Sequence, residues 1–109
     1  MNLGELQKVV DTWVRETGGG YWGPFEILAR LTEEVGELSA ALQRESGLRP
    51  RKVDTDLAGE VGDVLFTLAA FANANGVDLS TAFEGVVRKY DMRDAAAWSQ
   101  NQAKNPCAS

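Results

Sequence analysis

Apolar residues recur at three- and four-residue steps in four separate stretches of this chain, and nowhere do they alternate over a length that would make a strand. The first stretch runs from Leu3 to Glu16, with Leu3, Leu6, Val9, Val10, Trp13 and Val14 on one side. Gly18-Gly19-Gly20 ends it, and Tyr21-Trp22-Gly23 forms a short aromatic loop. Pro24 suits the first turn of a second helix, whose stripe is Ile27, Leu28, Leu31, Val35, Leu38 and Leu42 and which fades near Ser46-Gly47. Acids at Asp54 and Asp56 favour the positive end of a third helix, which should stop near Asn75-Gly76. Asp78 is placed to cap a fourth, carrying Leu79, Ala82, Phe83, Val86, Val87 and Tyr90; its end falls somewhere between Tyr90 and Trp98. Four helices with short connections predict an all-α, four-helix bundle-like domain over residues 1–98, with a loose polar tail at 99–109. A chain of 109 residues buries a modest fraction of its surface, so dimerisation is a natural way to complete the core.

Two of these helices carry paired acids. Glu33-Glu34-Val35-Gly36-Glu37 lies on the second and Glu60-Val61-Gly62-Asp63 on the third. Acids three residues apart share a helix face, where like charges destabilise the helix unless a cation lies between them. On a helical wheel Asp56, Glu60, Asp63 and Thr67 fall within about 60° of one another, beside Leu57, Val64 and Phe71. Glu34 borders the apolar stripe of the second helix and Glu37 sits slightly farther round. If the two helices pack together, four carboxylates converge. The alternative is a solvated face: Glu26, Arg30, Glu33 and Arg44 occupy the same side of the second helix and could form ordinary i,i+4 pairs, whereas the third has no lysine or arginine from Leu57 to Ala72.

Composition then narrows the chemistry. The chain contains no histidine, which removes the usual general base, imidazole metal ligands and every Ser-His-Asp arrangement. It also removes the Glu-x-x-His motifs of di-iron bundles. With Cys107 as the lone cysteine, zinc has almost nothing to bind and no internal disulfide can form; a reducing, cytoplasmic setting is expected. Any metal must be held by oxygen, which selects magnesium, manganese or calcium. Sixteen acids against eleven bases, a net charge of −5, argue against a nucleic-acid surface. No secretory signal is visible at the N-terminus, and no apolar run approaches the ~20 residues of a membrane span.

Glu-Glu-x-x-Glu on one helix, followed after 22 intervening residues by Glu-x-x-Asp on the next, resembles the MazG-type nucleotide pyrophosphohydrolases of the all-α NTP pyrophosphatase group, here in a short single-domain form. Leu31-Thr-Glu-Glu-Val-Gly-Glu-Leu38 and Glu60-Val-Gly-Asp-Val-Leu-Phe-Thr-Leu68 follow that family's helices closely, and the likeness extends from about Leu3 to Arg93. It implies Mg2+ ligands at Glu34, Glu37, Glu60 and Asp63, with Mn2+ as a substitute. It also implies an acid at Glu33 that orients or deprotonates the attacking water, with Glu37 sharing the catalytic assignment. The implied reaction is hydrolysis of an NTP or dNTP between the α- and β-phosphates, giving the monophosphate and pyrophosphate. Its role would be nucleotide-pool house-cleaning by a homodimer or homotetramer.

Substrate contacts are less sharply marked. Lys89 and Arg93, one turn apart, are candidates to grip phosphates, or else a solvated helix end favoured by the dipole. Lys52 belongs to a basic loop with Arg49 and Arg51 that could close over a triphosphate or stay an ordinary exposed loop. Trp13, Tyr21 and Trp22 are candidates to stack on a base. Trp22, in its glycine-flanked loop, fits a pocket, whereas the position of Trp13 on an apolar stripe favours core packing. Gly18 to Gly20 read as a linker, because no Gly-Lys-Ser/Thr follows. Some family members place an asparagine near the phosphate positions of the fourth helix; none occurs between Leu79 and Trp98. A non-catalytic helical interaction module with a structural metal site is the alternative to the enzyme.

Overall fold

The computed structural model describes residues 1–50 and 56–94. Helices run over Leu3–Glu16 (α1), Pro24–Glu45 (α2), Leu57–Ala74 (α3) and Leu79–Lys89 (α4), followed by a π-helical turn, Tyr90–Asp94. No strand occurs among the described residues. The contacts group into two compact units, Met1–Asp78 and Leu79–Ser109. Lys52 and Arg51 lie outside the described residues, as does the segment expected to form the polar tail.

Local chemistry sets the helix limits. Asn2 accepts from the Glu5 amide at 2.8 Å while the Glu5 carboxylate reaches back to the Asn2 amide, so a reciprocal cap starts α1. Pro24 occupies the first turn of α2, and Asp56 caps α3 by accepting from the Ala58 amide. Gly76 stops α3 with φ +67°, a left-handed conformation that suits glycine.

In the first unit α3 packs against both α1 and α2. The buried apolar side chains are small: Val10 and Val14 of α1, Ile27, Ala40 and Ala41 of α2, and Ala69 and Ala72 of α3. Alanines at buried positions on both α2 and α3 allow their axes to approach closely. A polar link ties the far end of α3 to α1. Gln7 Nε2 donates to Asn73 Oδ1 and to the Val77 carbonyl, and Asn73 Nδ2 returns a bond to the Gln7 carbonyl, all at 2.9 Å. By length and composition α3 is also apolar enough to cross a membrane. Its Glu60 and Asp63 instead join a carboxylate of α2 in a common site.

Among the described residues, the second unit holds α4 and the π-helical turn. Its Phe83, Val86, Val87 and Tyr90 are exposed, and the Lys89 ammonium stands 5.2 Å from the Tyr90 ring centroid, a cation–π arrangement.

Candidate functional site

Packing of α3 on α2 brings Glu34, Glu60 and Asp63 together, with one carboxylate oxygen from each lying within 4.8 Å of the others. Glu34 is buried, Glu60 half-buried and Asp63 exposed, so the cluster runs from the interior to the surface. Burial pushes the Glu60 carboxyl above its ordinary range, and repulsion from Asp63, Glu37 and Glu34 pushes it further; Arg44 opposes the rise. A carboxylate whose neighbours resist its charge is poised to gain from a cation. Three carboxylates without nitrogen or sulfur form a donor set for a hard divalent ion, and magnesium or manganese fits it.

Glu37 lies outside the tight cluster. It is exposed, yet near enough for its charge to raise the pKa of Glu60. Glu33 turns to solvent, its side chain 66% exposed, and accepts from Arg30 Nη1 at 3.2 Å. Arg30 Nη2 meanwhile holds Glu34 Oε1 at 2.8 Å, so a single guanidinium spans one buried and one exposed acid.

A cavity of about 370 Å³ adjoins the cluster, with Glu34 and Asp63 in its wall. Trp13, Tyr21, Trp22 and Phe66 supply aromatic surface, and Arg30 and Thr67 supply polar groups. Pockets for small molecules fall in a range of roughly 300–1,000 Å³ and combine apolar walls with a few polar groups. Trp13, for which core packing was expected, is 49% exposed and meets Phe66 edge to face, centroids 5.5 Å apart. The reason is local. Gly18 leaves room for the indole, because a Cβ there would stand 2.8 Å from Trp13 Cζ3. Trp22, the residue expected in a pocket, does line it and is 57% exposed.

The loop carrying these aromatics is anchored. Gly19 and Gly20 adopt φ +81° and +102°, which lets the Gly20 amide reach back to the Val14 carbonyl at 2.9 Å. The Tyr21 hydroxyl donates to Asp11 Oδ1 at 2.6 Å, and Arg15 both bonds Asp11 and lies 5.5 Å from the Tyr21 ring centroid. The bond from Tyr21, followed by that from Arg15, holds the Asp11 carboxyl below its usual range. Burial and the same Asp11 bond raise the Tyr21 hydroxyl.

Residues 23–98 match the family model of the MazG nucleotide pyrophosphohydrolase domain. The chain belongs to that family. It is 35% identical over 101 residues to YpjD of Bacillus subtilis, an uncharacterised protein, covering 90% of this chain and 91% of YpjD. It is 28% identical over 104 residues to YvdC of the same organism, another uncharacterised protein, covering 85% and 96% of the respective chains. The crystal structure of the Bacillus-conserved MazG protein, a nucleotide pyrophosphohydrolase, superposes with TM-score 0.73 at 35% identity, covering 86% of this chain and 94% of that one. The crystal structure of YpjD gives the same TM-score at 34% identity, covering 83% and 95%.

Membership makes this MazG domain a hydrolase of the nucleotide pyrophosphohydrolase class, and the non-catalytic module is set aside. Divalent-metal dependence is general in the family and agrees with the acidic cluster. Lys89 and Arg93 belong to the second unit, on α4 and the π-helical turn, and both are exposed. In the sequence Arg30 reads as an ordinary surface partner, and Asp11, Arg15 and Phe66 carry no signal of a site. The i,i+4 spacing of Asp11 and Arg15 is visible in the sequence, but nothing in it announces Tyr21 as their common partner.

Proposed function

We propose that this MazG protein hydrolyses nucleoside triphosphates, NTP or dNTP, between the α- and β-phosphates, using Mg2+ held by Glu34, Glu60 and Asp63 with Glu37 as the fourth carboxylate. The observation that carries the reading is the continuity of the carboxylate cluster with the aromatic cavity: Glu34 and Asp63 belong to both. A triphosphate reaching the acids would leave its base among Trp13, Tyr21, Trp22 and Phe66, where stacking is tolerant of base identity.

Bound magnesium would neutralise phosphate charge and acidify a coordinated water. The protein's own groups do the rest. Buried Glu34 and half-buried Glu60 would hold the ion, with Asp63 at the outer edge of the cluster. Glu33 or Glu37 accepts the proton of the attacking water. The α–β anhydride P–O bond breaks as the water oxygen bonds to phosphorus, and pyrophosphate leaves. Lys89 and Arg93, and Lys52 from the basic loop, are assigned to the phosphates.

House-cleaning of the cytoplasmic nucleotide pool suits such a hydrolase. A homodimer or homotetramer is the proposed assembly, supported by the exposed Val35 and Leu42 of α2 and Val61 and Leu65 of α3. A panel of NTPs and dNTPs, with Mg2+, Mn2+ or chelator, tests the reaction. Pyrophosphate and monophosphate should appear in equal amounts and only with metal. No pyrophosphate from any nucleotide would end the proposal.

A further inference from the structure

We infer that Arg30 is a phosphate-gripping residue held in reserve by Glu34, and that it is released to substrate when a divalent cation takes over that carboxylate. The inference rests on the proposed function and names the residue that turns the metal-loaded cluster toward the substrate.

The guanidinium is divided between two acids. Nη2 lies 2.8 Å from Glu34 Oε1, a carboxylate that is almost fully buried, and Nη1 lies 3.2 Å from Glu33 Oε2 at the surface. The side chain is 52% exposed and lines the cavity together with Glu34 and Asp63. Among the described residues lining that cavity, Arg30 alone carries a positive charge. The other charged groups in that described lining, Glu34 and Asp63, are both acids.

Helix stabilisation accounts poorly for this pair. At i,i+4 the favourable order places the acid N-terminal to the base, and Arg30–Glu34 has the reverse order. Its partner Glu33 is exposed, where an ion pair contributes little. The stronger reason is charge. Glu34, Glu60 and Asp63 crowd three carboxylates into one small volume, and Arg30 supplies the counter-charge to the buried member. A divalent ion bound to the same oxygens would supply that charge instead.

The two cations then compete. A divalent ion held by Glu34 and a guanidinium hydrogen-bonded to the same buried carboxylate would stand close together as like charges. Glu34 therefore exchanges Nη2 for the ion. The Nη1 bond to Glu33 keeps the freed guanidinium at the cavity wall. Its fork of donors matches phosphate oxygens in two-point contact, which a lysine cannot reproduce. Arriving metal thus converts an acid-neutralising side chain into an anion-binding one, coupling metal occupancy to substrate affinity.

The full-length chain and its Arg30→Met, Arg30→Gln and Arg30→Lys variants provide the test, with three measurements on each. Mn2+ affinity without nucleotide is read by calorimetry. Affinity for inorganic tripolyphosphate in saturating Mn2+ is read the same way, because it isolates the phosphate grip from base recognition and from turnover. Thermal midpoints are taken with chelator and with metal. Arg30→Met and Arg30→Gln should bind Mn2+ as tightly as the parent or tighter, because a competitor is gone. They should lose roughly tenfold or more in tripolyphosphate affinity. Their midpoints should fall below the parent's in chelator and rejoin it in metal, and Arg30→Lys should recover part of the tripolyphosphate affinity. Weakened Mn2+ binding, or unchanged tripolyphosphate binding, in a variant that folds would overturn the proposal and leave Arg30 as a prop for Glu34. A parent that grips tripolyphosphate through Arg30 but cleaves no nucleotide would sink the proposed reaction while leaving this inference standing.

Discussion

The Tyr21 hydroxyl donates a 2.6 Å hydrogen bond to Asp11 Oδ1, tying the loop between α1 and α2 back onto α1 and setting one aromatic wall of the cavity. This contact is long-range for a short loop, and it places Tyr21 beside the candidate site without joining it to the carboxylate cluster. Tyr21→Phe keeps the ring and removes the tether. The Michaelis constant for the preferred nucleotide should rise roughly three- to tenfold with kcat and Mn2+ affinity nearly unchanged, as loss of one charge-assisted bond would give. Steady-state kinetics decide it, and an unmoved KM would mean that the loop's position does not matter to substrate.

Gly18 should resist any side chain. A Cβ would meet Trp13 Cζ3 at 2.8 Å and the Val14 carbonyl oxygen at 3.2 Å, so the indole or the turn must move. Gly18→Ala should cost about 1–3 kcal/mol in stability and raise KM more than it lowers kcat. Urea unfolding and kinetics report the two effects separately.

Glu60 predicts a pH signature. Its carboxyl is raised by burial first and by Asp63, Glu37 and Glu34 next, so the folded chain holds that proton more tightly than the unfolded chain does. The metal-free fold therefore loses stability as pH rises from the ordinary carboxylate range through the raised value. Glu60→Gln removes that loss. In chelator the variant should melt above the parent once pH exceeds the raised value, and the two should converge as pH falls below the ordinary carboxylate range. Saturating Mg2+ should reverse the order, because the ion stabilises only the parent's intact ligand set. Melting curves across pH, with and without metal, carry the test.

Asp63→Asn and Glu37→Gln should each abolish measurable turnover while leaving helical content intact. Metal affinity should fall at least the 10–100-fold, approximately, that loss of even an outer-shell partner costs. Pyrophosphate release and Mn2+ titration check both. Wild-type turnover in either variant would show that the metal is held elsewhere.

Gly36 lies within α2 and has open space where a Cβ would project. In a chain that stands alone, Gly36→Ala should add about 0.5–1 kcal/mol through its better helix propensity. A loss of stability instead, accompanied by a smaller particle in light scattering, would reveal a second subunit packed against that face.

Much of the fold was legible because its signals are local. Pro24, Asp56 and Gly76 act within a few residues of themselves, and the observed helices begin and end beside them. The acid spacing on α2 and α3, with its surrounding residues, was likewise enough to point to the MazG family that the match over residues 23–98 then showed. Trp13 was one misleading case. An apolar stripe announces a buried face, but it cannot distinguish a core from the wall of a cavity.

The sequence by itself determined which residues become helical and which acids share a face, because both follow from backbone periodicity and short-range capping. Only the tertiary structure decided that Glu34, Glu60 and Asp63 meet while Glu37 stays outside, that Arg30 reaches a buried carboxylate, and that Tyr21 finds Asp11. Those outcomes depend on the rotation and offset of one helix against another and on the path of the loop between α1 and α2. Such quantities are set by packing across the whole unit, and no single helix carries them in its own pattern.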